Sequence, residues 1–68
     1  MKYSELVDLY PFFHGVISRM ALMLDAKIGA DAAIDWAESQ LKKIKNPAHQ
    51  QAALGKVRAF VEVRNGAD

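Results

Sequence analysis

The sequence predicts an all-α fold, a small bundle of three to four helices over about 4–10, 11–28, 30–45 and 47–64, assembled as a dimer. Three observations carry the prediction. Apolar residues recur at helical spacing along two long stretches: Leu6, Tyr10, Phe13, Ile17, Met20, Leu24 and Ile28 in the first, Ala30, Ile34, Ala37, Leu41 and Ile44 in the second. Helix punctuation falls between the stretches, at Pro11, Gly29 and Asn46-Pro47. Only Ala59 to Val63 alternates like a strand, and no other segment offers it a partner within the chain. Residues 59–63 are therefore read as helix, the alternative being a strand paired across a dimer axis.

The first helix has Ser4 in position to cap its start and Glu5 in its first turn. Pro11 interrupts the chain while the apolar period runs across it, which predicts two helices meeting at a bend with one face kept inward. Proline costs about 3 kcal/mol inside a helix but little in its first turn. The second helix is apolar over nearly half its circumference, with Phe12, Val16 and Met23 on one shoulder of the Phe13-Ile17-Met20-Leu24 stripe. Such breadth implies burial against more than one neighbour, which makes it the central helix. Leu22 lies on its back as an exposed apolar candidate, and Gly29 is placed to end it in a left-handed conformation.

The third helix has the clearest organisation. Asp31, Asp35 and Glu38 crowd its start and Lys42, Lys43 and Lys45 its end, each sign at the favourable pole of the dipole, and Glu38 and Lys42 stand four residues apart. Trp36, the single tryptophan, sits about 100° from the apolar seam, beside Gln40, which its indole N–H can reach. Asn46-Pro47 then starts the fourth helix as cap and first helical residue, with Ala53, Leu54, Val57, Phe60 and Val61 inward. Asn65-Gly66 closes it, and residues 66–68 form a tail expected to fray. The predicted core is Leu6, Phe13, Ile17, Met20, Leu24, Ile34, Ala37, Leu41, Ile44, Val57, Phe60 and Val61.

Sixty-eight residues make a single helical domain, 1–68. A chain this short buries only about 60% of its unfolded surface and is marginal alone. With no cysteine, disulfides and thiolate metal sites are both absent, and His14 and His49 are far apart in sequence. Oligomerisation is the remaining compensation, so a homodimer is expected, with Phe12, Leu22, Met23 and Trp36 partly at the subunit contact. No apolar run approaches the roughly 20 residues of a membrane span. Glu5 and Asp8 stand where an export signal would be apolar, so the expected location is cytoplasmic.

The net charge of +1 hides two unlike halves. Residues 1–41 set Lys2, Arg19 and Lys27 against six carboxylates, whereas residues 42–64 set six cations against Glu62 alone.

No catalytic set emerges. His14 has only Ser18 one turn on, His49 has no nucleophile nearby, and neither a phosphate loop nor a paired-histidine metal motif occurs. No enzyme activity, cofactor or metal is expected. Two surfaces remain. The first is a protein interface of Trp36, Phe12, Leu22, Met23, Gln40 and Lys43, because tryptophan among small residues makes a good anchor. The second is a phosphate-binding set of Lys42, Lys43, Lys45, Lys56 and Arg58. A helix-turn-helix across Gly29 fails, since Asp31, Asp35 and Glu38 would face phosphates. A version across Asn46-Pro47 offers only Gln50 and Gln51 to base edges.

The functional expectation is a small non-enzymatic interaction module whose partner is another protein, an adaptor or inhibitor acting by occupying that partner's surface. Site-less helical proteins of this size are common among phage and mobile-element products, an analogy of size class alone. The alternative is a nucleic-acid-associated regulator using the basic 42–58 region. No membrane partner is expected.

Overall fold

The backbone breaks where proline forces it to. The computed structural model describes residues 1–66; Ala67 and Asp68, part of the tail expected to fray, lie outside the described residues. Four helices follow in order: α1 (Tyr3–Leu9), α2 (Phe12–Asp25), α3 (Ala30–Leu41) and α4 (Pro47–Gly66). Among the described residues there is no strand, and residues 59–63 lie within α4. Tyr10 is driven out of the helical region by the proline that follows it (φ −133°, ψ 80°), while Pro11 caps α2 at φ −55°. The bend folds α1 back on the start of α2, bringing the Tyr3 ring to 5.6 Å from that of Phe13.

Two side-chain pairs set the directions. Tyr10 Oη lies 2.7 Å from His49 Nδ1 at one end, and the Arg64 guanidinium donates to the Asp25 carboxylate at the other. Both partners advance by the same fifteen residues, so α2 and α4 run parallel. α3 runs back between them and packs on both, and α1 closes the end where α2 and α4 begin. The radius of gyration, 11.4 Å, is close to the roughly 11 Å expected of a folded chain this long.

The core consists of Leu6, Phe13, Val16 and Met20 from the first two helices; Ala33, Ala37, Leu41 and Ile44 from α3 and its exit; and Ala53, Val57 and Val61 from α4. It departs from the predicted set in one systematic way. Ile17, Leu24, Ile34 and Phe60 are only partly buried, while Val16, Ala33 and Ala53 are fully inside. At 100° per residue, the buried faces of α2 and α3 are each turned by about 30° from the predicted stripes. On α3 the small residues Ala33 and Ala37 take fully buried places while the larger Ile34 stays partly exposed.

The helix ends also differ from expectation. α1 begins at Tyr3, one residue before the expected cap Ser4, with the Glu5 carboxylate accepting from the Lys2 N–H at 3.2 Å. α2 stops at Asp25 rather than near 28, and the left-handed residue is Lys27 (φ 64°), not Gly29. Ile28 N–H donates to Met23 O and Lys27 N–H to Leu24 O, both at 3.1 Å, the paired bonds of a Schellman closure. Gly29, at φ 110°, instead precedes α3.

α3 ends at Leu41 rather than Lys45, and Ile44, just past the helix, is still buried. The exit is tightened by bonds from Lys43 N–H to Gln40 O and from Ile44 N–H to Leu41 O. Lys42, Lys43 and Lys45 therefore follow the helix instead of forming its last turn. Asn46 does cap α4 as expected, its Oδ1 accepting from the N–H groups of Ala48 at 2.9 Å and His49 at 3.3 Å. α4 continues helically to Gly66, past the expected stop at Arg64.

Candidate protein-interaction surface

The turning of α2 and α3 toward each other leaves a groove on their outer side. It is an open depression of about 340 Å³, lined by Phe12, Gly15, Val16 and Arg19 from α2 and by Trp36, Gln40 and Lys43 from α3 and its exit. The helices are antiparallel, so the first half of α2 faces the second half of α3. Spacing explains which side chains line it. Phe12, Gly15 and Arg19 fall on one strip of α2 at intervals of three and four residues, and Trp36 and Gln40 do so on α3.

Four of the six residues expected at a protein interface thus meet in one place: Phe12, Trp36, Gln40 and Lys43. The Lys43 ammonium sits 5.5 Å from the centroid of the Phe12 ring and donates to Gln40 Oε1 at 3.3 Å. Gln40 Oε1, the expected partner of the indole, is occupied by this contact. Ser39 Oγ donates to the Trp36 carbonyl at 2.6 Å, and the Trp36 ring is half-buried against the core. The other two residues lie apart. Met23 shares the strip of Phe12 but falls about 16 Å further along α2, half-buried. Leu22 stands on the outer shoulder, 63% exposed.

The phosphate-binding candidates are dispersed. Lys42, Lys43 and Lys45 are exposed around the α3–α4 connection. Lys56 and Arg58 are two residues apart on α4, hence about 160° apart around its axis, on opposite flanks. Arg58 is directed to Glu38 at 3.7 Å, so Glu38 pairs across to α4 rather than with Lys42 along α3. Both groups are well exposed, and such a pair contributes at most about 1 kcal/mol.

The histidines have structural partners. His14 Nδ1 lies 3.2 Å from Tyr3 Oη, and His49 receives the tyrosine pair described above, its ring edge-on to Tyr10 at 5.7 Å. Among the described residues, no three of His, Asp and Glu converge in an arrangement that can hold a metal ion. Nor, among the described residues, is any helix long and apolar enough to cross a membrane. A second, smaller depression of about 160 Å³ lies between α3 and α4, where Gln50 Nε2 donates to the Leu41 carbonyl and completes the end of α3.

Two features of the surface escaped the sequence reading. Gly15 and Arg19 belong to the groove, and neither is among the residues expected at an interface, although Gly15 reads as allowing close approach of another backbone. Their spacing from Phe12, three and seven residues, is the signal that places them on its strip. No protein-family model, curated protein or solved structure matches this chain.

Proposed function

We propose that this protein is a small non-enzymatic interaction module, an adaptor or inhibitor that works by occupying a partner protein's surface with its α2–α3 face. The observation that supports the reading is the convergence of Phe12, Trp36, Gln40 and Lys43 on one groove. Half-buried aromatic rings make efficient anchors, because little side-chain entropy remains to be lost when a partner covers them.

Self-association belongs to the same reading, with exposed Leu22 at a symmetric contact, in a protein acting in the cytoplasm. Sedimentation of the parent and of Leu22→Glu at micromolar concentration tests it. A monomer in both samples removes the dimer from the proposal.

The main test is affinity capture from nuclease-treated host lysate, with Trp36→Ala alongside. The expected result is one dominant protein that the variant no longer retains, with helical content unchanged. Enrichment that appears only when nuclease is omitted transfers the function to the nucleic-acid reading through Lys42, Lys43, Lys45, Lys56 and Arg58.

A further inference from the structure

The charges around the groove restrict what can fill it. The chain has three arginines, and two are paired: Arg58 with Glu38 and Arg64 with Asp25. Among the described residues no carboxylate pairs with Arg19 or with Lys43, and none lines the groove in which both stand. The depression therefore carries two cations and two aromatic rings with no anion.

Its α2 bank is open as well. A Cβ added at Gly15 would meet nothing within 4 Å, so the exposed backbone there leaves room for an incoming side chain. The cations are spaced along the groove. Lys43 lies against Phe12, and Phe12 is seven residues from Arg19, a rise of about 10 Å.

We infer that the α2–α3 groove receives an acidic amphipathic helix of a partner protein, a deepening that rests on the interaction reading above. A helix repeats its face every seven residues, over the same rise of about 10 Å. Two carboxylates seven apart reach Arg19 and Lys43 together, and an apolar residue midway between them settles in the open space at Gly15. Arg19 takes its carboxylate through a two-pronged guanidinium contact, and Lys43 takes the other as a point charge.

The chain's own sequence contains such a pattern, Asp31 and Glu38 around Ile34, but it is already engaged. Ile34 packs against the core and Glu38 is directed to Arg58. The occupant is accordingly a different protein.

The test selects binders from a displayed library of helical peptides in which charged and apolar positions are randomised, using the intact protein as bait. The selected peptides are then titrated against the parent, Arg19→Glu and Gly15→Leu, with the emission of Trp36, the single tryptophan, as readout. Arg19 is exposed and Gly15 faces open space, so both variants should retain the parent's helical signal.

Enriched peptides should carry carboxylates seven residues apart around an apolar residue. They should shift Trp36 emission, lose at least ten-fold in affinity with either variant, and weaken as salt is raised. Enrichment of basic or uncharged peptides, no enrichment, or affinities indifferent to both variants overturns the inference. So does tighter binding of a single-stranded oligonucleotide than of the best peptide. A lysate partner that depends on Trp36 yet binds Arg19→Glu as tightly as the parent overturns the acidic helix alone and leaves the interaction module standing.

Discussion

Lys27 is the one non-glycine residue among the described residues held at positive φ, and replacing it should stabilise the protein. At φ 64° its Cβ crowds the following carbonyl, a cost of about 1–2 kcal/mol for an L-residue. Lys27→Gly removes that cost but adds flexibility to the unfolded chain, which returns about 0.4–1 kcal/mol. It also removes a cation just beyond the end of α2, where a charge contributes a few tenths of a kcal/mol. The net gain is about 0.5 kcal/mol. Lys27→Ala supplies the control, since it loses the same charge and keeps the crowding. The glycine variant should exceed the alanine variant by about 1 kcal/mol, which for a domain this small separates their thermal midpoints by about 4–8 °C. Thermal unfolding followed by circular dichroism reads the difference directly. Equal midpoints, or alanine above glycine, would show that the left-handed conformation of Lys27 carries no net strain.

Three further substitutions probe the elements that position the groove. Phe13→Ala removes the largest fully buried side chain and should cost about 3–5 kcal/mol, comparable to the whole stability expected of a chain this length; loss of the cooperative urea transition is the expected result, and a midpoint near the parent's would contradict its central place in the core. Tyr10→Phe leaves His49 Nδ1 without its partner in a half-buried position and should cost about 1 kcal/mol, whereas unaltered stability would mean water replaces the hydroxyl at no cost. Asn46→Ala removes the acceptor for two N–H groups at the start of α4; the expected loss is about 1 kcal/mol, and less than a quarter of that would show the cap is redundant.

The all-helical fold and its main breaks were legible because their causes are local. Pro11 acts on the residue before it, and Asn46 acts on the N–H groups that follow it, so both could be read from neighbouring letters. The helix ends that were misplaced depend on distant contacts. Nothing near Leu41 forbids the helix from continuing to Lys45; the bonds of Lys43 and Ile44 three residues back tighten it before the turn into α4 at Pro47. The same holds for α2, where closure occurs on Lys27 although a glycine stands two residues later. Glycine is favoured at such a closure, but the point at which the chain must turn toward α3 decides which residue takes it.

The groove was half legible for a related reason. Helical spacing gathers Phe12, Gly15 and Arg19 on one strip and Trp36 and Gln40 on another, but spacing alone does not say which strips face each other. The periodic stripes pointed to Ile17, Leu24 and Ile34 as the centres of contact, since those side chains offer the most apolar area. Instead the buried faces of both helices are turned by about 30°, with Val16, Ala33 and Ala37 inside and the larger residues at the margins. That turn draws the Trp36 strip and the Phe12 strip onto the two banks of one groove. If the packing of α3 governs the site in this way, enlarging the fully buried Ala37 to leucine should overpack the core and loosen the fold together with the groove. Enlarging Gly15 should fill the groove and leave the fold intact. The two substitutions thus separate the surface from the packing that creates it.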